Sequence, residues 1–138
     1  MNLDEKIINE LIDKAIESRK NAYARYSDFF VGAAVLGSDG NIYTGCNIEN
    51  ASFSATICAE RTAIFNGVCN GCKTFEAIAI AGARQNEPLD YCYPCGTCRQ
   101  VMVQFAKVRE FKIILVNEER EYKIHTLKEL MPGPFDSF

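Results

Sequence analysis

The sequence lacks any excess of basic charge. Its 15 Lys and Arg are outnumbered by 18 Asp and Glu, for a formal net charge of −3. With no cationic face for phosphates, neither a polynucleotide nor an anionic membrane is an expected partner. No uncharged apolar run is long enough to cross a bilayer. No export signal is expected either, because Asp4, Glu5, Lys6, Glu10, Asp13 and Lys14 interrupt every apolar stretch near the start. The expected location is therefore cytoplasmic, where thiols stay reduced. No internal repeat, low-complexity tract or linker interrupts the chain. Histidine is nearly missing: His125 is the only one, in a predicted strand pair near the C-terminus, and is read as structural or exposed.

What remains is an ordinary globular composition, 48% apolar and 24% charged, which argues against disorder. A chain of 138 residues fits one domain, taken as 1–138, able to bury roughly 70% of its unfolded surface. Leu3, Ile7, Ile8, Leu11, Ile12, Ala15 and Ile16 recur at helical spacing and predict an amphipathic helix over 2–20. Two apolar runs, Phe30 to Leu36 and Ile42 to Cys46, flank an Asp39-Gly40 turn and predict a hairpin. Residues 58–68 and 96–106 read as helices lying between strands, as crossovers do. Ala77 to Ala81 is apolar at every position, which suits a strand buried on both faces. Lys112 to Val116 and Tyr122 to His125 form a second strand pair about a turn at Asn117 to Glu121. The fold class is α/β with a mixed five-stranded sheet, hairpins at both ends preventing a purely parallel order.

Seven cysteines then need explaining, and an odd count suits a closed disulfide set badly. Three stand out: Cys58 in Cys58-Ala59-Glu60, and the pair in Pro94-Cys95-Gly96-Thr97-Cys98. A three-residue spacing at a helix start puts Cys95 and Cys98 on one side. Cys58 supplies a third sulfur, and three ligands leave a tetrahedral zinc one open position, as catalytic zinc requires. On a regular helix Glu60 would point about 200° away from Cys58, so both reach one site only at the helix mouth. There the positive helix ends help keep thiolates ionised. Three thiolates on Zn²⁺ sum to −1, and Arg61 or Arg99, each directly following half of the motif, could withdraw charge by donating to sulfur. An open zinc acidifies water and a free glutamate moves its proton, which together give hydrolytic addition to an unsaturated carbon.

The sequence closely resembles the cytidine deaminases, the small homotetrameric kind whose zinc site is all cysteine; their motif is the one general accounts of zinc deaminases describe. The resemblance is carried by Phe29, Val31 to Ala34, Gly45-Cys46-Asn47-Ile48-Glu49-Asn50-Ala51, Cys58 to Arg61, Pro94 to Gln100, and Leu127 to Phe135. It implies a three-layer α/β/α domain and conversion of free cytidine or 2′-deoxycytidine to uridine or deoxyuridine with loss of ammonia, a step of pyrimidine salvage. It implies one Zn²⁺ per chain on Cys58, Cys95 and Cys98, with Arg61 behind the sulfurs and Glu60 as the proton carrier between water, the base N3 and the departing amino group. Asn47 and Glu49 would bond the ribose, Phe29 would pack near the base, and the backbone around Ala59 and Cys95 would read the pyrimidine edge. Ala51 to Phe53 and Phe135 are expected near a neighbouring subunit's pocket, which would explain why so small a chain forms a homotetramer. The chain departs from its relatives in Phe53, where Tyr is frequent, and in Tyr93, where Ser commonly precedes Pro-Cys.

Other readings leave more unexplained. A thiol-redox protein would use Cys95-x-x-Cys98 before a helix but has no place for Cys58-Ala-Glu60. A structural zinc would want a fourth ligand. Blasticidin-type deaminases share the zinc motifs but lack the Asn-Ile-Glu-Asn-Ala segment. Cys46, Cys69, Cys72 and Cys92 are read as free thiols rather than a second metal site.

Overall fold

The computed structural model describes residues 3–137. Helix α1 (Glu5–Ser18) starts where the Asp4 carboxylate accepts from the Ile7 N–H at 2.8 Å, as an N-cap should. It is shorter than the predicted 2–20, and position 2 lies outside the described residues. A 3₁₀ turn at Arg19–Asn21 follows, because the Arg19 side chain leaves the helix to bond the carbonyls of Phe30 and Ala83.

Strands β1 (Phe29–Gly37) and β2 (Ile42–Cys46) form the expected hairpin. Gly40 takes a φ of 86° in the turn, and Asp39 accepts from the Asn41 N–H and the Tyr43 hydroxyl at 2.9 and 2.6 Å. Helix α2 (Ala59–Cys69), strand β3 (Phe75–Arg84), helix α3 (Gly96–Phe105) and strands β4 (Lys112–Val116) and β5 (Tyr122–Thr126) complete the predicted set. The sequence reading missed α4 (Leu127–Leu130), a four-residue helix closed by a Thr126–Glu129 capping box.

The sheet order is β2-β1-β3-β4-β5, with only β3 and β4 parallel. Side chains alternate across it. Ile78, Ile80, Ile113 and Leu115 face α2 and α3 through Ala63, Ile64, Met102 and Val103. Ala77, Ala79, Ala81 and Ala83 face α1 through Ile8, Leu11, Ile12 and Ala15. The result is the expected three layers. The alanine face lets α1 come close to the sheet: a Cβ on Gly32 would run into the Ala15 carbonyl. Gly45 plays the same part on the other side, where a Cβ would strike the Ala63 backbone of α2. Among the described residues no helix is long and apolar enough to cross a membrane.

Candidate active site

Because β1 and β3 are antiparallel, the start of β1 and the end of β3 meet at one end of the sheet. Both crossover helices begin there. Cys58 is the N-cap of α2 and Cys95 the N-cap of α3, each with extended backbone, and the Cys98 N–H donates to the Cys95 sulfur at 3.5 Å. The two helices thus aim their positive ends at the same sulfurs. Cys58 Sγ and Cys95 Sγ lie 3.8 Å apart, and the three sulfurs of Cys58, Cys95 and Cys98 are all within 4.8 Å of one another. Two sulfurs at Zn–S bonds of about 2.3 Å in a tetrahedron stand about 3.8 Å apart, so the donor set fits zinc. Among the described residues this is the only such group of three or more possible ligands. Cys46, Cys69, Cys72 and Cys92 form no second cluster and are free thiols.

The charges at these sulfurs are coupled. The Cys98 thiol, then Arg61, stabilise the Cys58 thiolate and bring it down to about 5, against the upward push of burial. Cys98, its S–H held by Cys58 and its side chain buried, is pushed well above the usual thiol range. Arg61 Nη2 donates to Cys58 Sγ at 3.3 Å. Burial opposes charge on this guanidinium, but the Cys58 and Cys98 sulfurs outweigh it and hold it protonated. Arg99 is turned away. Its Nε bonds the Pro94 carbonyl at 2.8 Å and its Nη1 the Leu130 carbonyl at 2.7 Å, so it clamps the backbone ahead of Cys95 to α4 and reaches no sulfur. The expectation of a sulfur contact thus holds for Arg61 and fails for Arg99.

Beside the sulfurs opens a cavity of about 260 Å³ whose walls include Phe29, Asn47, Glu49, Ala59 and Glu60. Glu60, in the first turn of α2, is only 4% exposed, and burial pushes its carboxyl up to about 7, its own backbone bond resisting and the Cys58 charge adding. Asn47 is fixed by its neighbours: Oδ1 accepts from the Val31 N–H at 2.9 Å and Nδ2 donates to the Phe29 carbonyl at 2.8 Å. Glu49 accepts from the Tyr26 and Ser27 N–H groups at 2.8 and 3.1 Å and closely from the Ser27 hydroxyl. Burial pushes the Glu49 carboxyl up, but these donors together outweigh it and keep it below the usual glutamate range.

Ala51 is exposed and Phe135 is 64% exposed, both outside the lining of this cavity; the Phe135 carbonyl accepts from Gln100 at 2.7 Å. Sequence reasoning gave no site role to Ser27, Thr56, Cys92 or Tyr93, which also line the cavity. Cys92 packs over Gly82 and, through burial, is pushed up to about 12. An adjoining hollow shares Ser27, Glu49 and Thr56 and is walled by Tyr26 and Phe53, whose rings meet edge-on at 6.2 Å.

Residues 5–115 match the family model for the cytidine and deoxycytidylate deaminase zinc-binding region. A cytidine deaminase of Sporosarcina psychrophila is 41% identical over 128 residues, covering 93% of this chain and 90% of that protein. A cytidine deaminase of Halalkalibacterium halodurans is 44% identical over 125 residues, covering 91% of each. The crystal structure of a cytidine deaminase from Burkholderia pseudomallei superposes with a TM-score of 0.83 at 39% identity, covering 92% of this chain and 98% of that one.

Proposed function

The chain belongs to the cytidine and deoxycytidylate deaminase family, and from that membership we propose that it hydrolyses the amino group from free cytidine and 2′-deoxycytidine, giving uridine or deoxyuridine and ammonia. The observation that carries this reading is the placement of a buried glutamate beside a three-sulfur cluster in the wall of a single cavity. The sulfurs of Cys58, Cys95 and Cys98 would hold the zinc. Zinc when bound supplies Lewis acidity, which brings the pKa of a water toward neutrality.

The chain's own side chains do the rest. Glu60 takes one proton from the attacking water at its carboxylate and passes it to N3 of the base as the water oxygen bonds C4; it then takes the second proton from the new C4 hydroxyl and delivers it to the amino nitrogen, so that the C4–N bond breaks and ammonia leaves. Its burial excludes competing solvent from that path. Arg61 offsets the surplus negative charge of three thiolates through its bond to Cys58. Phe29 packs on the base, and the backbone at Ala59 and Cys95 reads the pyrimidine edge. The Asn47 amide, already tied to β1, keeps one N–H for the ribose. Glu49 accepts a ribose hydroxyl in competition with Ser27.

With Glu49 ionised at the sugar end and a chain of net charge −3, a phosphate would meet like charge, so nucleosides are preferred over nucleotides. The chain works in the cytoplasm as a homotetramer in pyrimidine salvage, with Ala51 to Phe53 and Phe135 completing a neighbour's pocket. The exposed aromatic side chains of Tyr26, Phe29 and Phe53 around the cavity mouth support such an assembly.

The test is to follow the ultraviolet change on mixing with cytidine while assaying metal in the same sample. One zinc per chain with turnover supports the reading. Zinc without turnover favours a structural site, and a metal-free disulfide favours redox chemistry. Turnover of CMP at a rate comparable to cytidine would remove the nucleoside preference.

A further inference from the structure

The chain's only histidine, assigned no role from sequence, lies against Tyr93. Tyr93 lines the cavity beside Cys95 and is 45% exposed there. Its ring meets the imidazole of His125 on β5 at 5.6 Å between centroids, tilted by 48°, with the hydroxyl 3.5 Å from Nε2. His125 Nδ1 in turn faces Glu129 Oε2 at 3.5 Å, and Glu129 is itself fixed by the Thr126 capping box. Two residues back along β5, and so on the same face, Lys123 Nζ sits 4.3 Å over the ring of Tyr91. The segment leading into Pro94-Cys95 is therefore gripped at alternate residues by alternate residues of β5. Pro94 further restricts the Tyr93 backbone to extended conformations.

We propose that Tyr93 is a wall of the nucleoside cavity and that His125, backed by Glu129, is the positioning residue that holds its ring in place. The assignment rests on the deaminase reading of the cavity. Without a ring at position 93 His125 would have nothing to hold, so the two residues act as a unit. An aromatic pair at this separation attracts beyond simple area burial. Holding the ring in advance spares the substrate the cost of ordering it on binding.

The experiment uses the full-length zinc enzyme and two readouts. Because His125 is the sole histidine, its ring protons are assigned in a proton NMR spectrum without ambiguity. They shift when uridine is added to the native protein and stay still in Tyr93→Ser. In cytidine kinetics, His125→Ala raises KM about threefold to tenfold with kcat held within about twofold, the change expected from losing an aromatic pair that acts on binding alone. His125→Phe, which keeps ring against ring, restores KM. In a Tyr93→Ser background His125→Ala adds nothing further. Imidazole signals indifferent to saturating uridine, an equal His125→Ala effect in both backgrounds, or a loss confined to kcat would each overturn the proposal. Native enzyme that neither binds uridine nor deaminates cytidine overturns the deaminase reading itself, whereas a working enzyme with a silent His125 removes only the brace.

Discussion

At Glu60 one carboxyl group separates chemistry from metal binding. Glu60→Gln leaves the three sulfurs in place, so zinc by metal assay stays at one per chain while kcat falls on the order of 10²- to 10⁴-fold, the usual weight of a positioned acid–base. Asn47 is different because its amide joins β1 to the cavity. Asn47→Ala strands the Val31 N–H and the Phe29 carbonyl, which costs about 1–3 kcal/mol of stability, and it raises KM as well; a lowered midpoint in urea together with weaker uridine binding checks both. The sulfur trio and Glu60 were expected from residue types at fixed spacing, the Asn47–Glu49 pair only from the resemblance. The split between Arg61 and Arg99 was not. Arg61 lies three residues after an N-cap cysteine, where a helical side chain leans back toward the first turn and meets sulfur. Arg99 has within reach the Pro94 carbonyl just ahead of its own helix and the Leu130 carbonyl of α4, and only the folded chain brings the second one there.

Among the elements, the hairpin turn carries a pH signature. The Tyr43 hydroxyl, followed by the Asn41 N–H, holds the Asp39 carboxyl below the usual aspartate range. A carboxyl lowered on folding stabilises above its unfolded pKa, and that contribution disappears as pH falls through the folded value. Asp39→Asn therefore narrows the gap between native and variant stability as pH drops through the acid range, read by urea titration at a series of pH values; a gap independent of pH removes the effect. Strands β2 and β4 have the bounds their sequences predict, because a short apolar run ending in turn residues leaves little freedom. Strand β3 extends beyond its alanine and isoleucine run to Phe75 and Arg84, since pairing with the long β1 continues past the apolar stretch. Helix α4 carried no periodic signal, as four residues complete barely one turn.

For the whole molecule, the hollow beside the cavity is walled by the exposed Tyr26 and Phe53, and Phe135 lies outside the lining of both. The proposed sharing of the pocket between subunits makes mixed assemblies informative. Glu60→Gln and Phe135→Ala each lose activity alone. Refolded together as a mixture, they recover part of the native rate, because some pockets combine an intact glutamate with an intact neighbouring phenylalanine. No recovery on mixing removes the shared pocket. The layered α/β architecture was legible from the alternation of strands and helices. The homotetramer was expected from the resemblance alone, since aromatic residues as far apart in sequence as Tyr26 and Phe53 meet only after folding.

The sulfur ligands sit on two helices that are seated on the sheet through Ile64 and Met102, both buried in one cluster. The metal consequently acts as a strain gauge for the protein interior. Thinning that cluster, as in Met102→Ala, would loosen one pair of ligands relative to the third and speed the escape of zinc to a chelator, although the altered atom touches neither ion nor nucleoside.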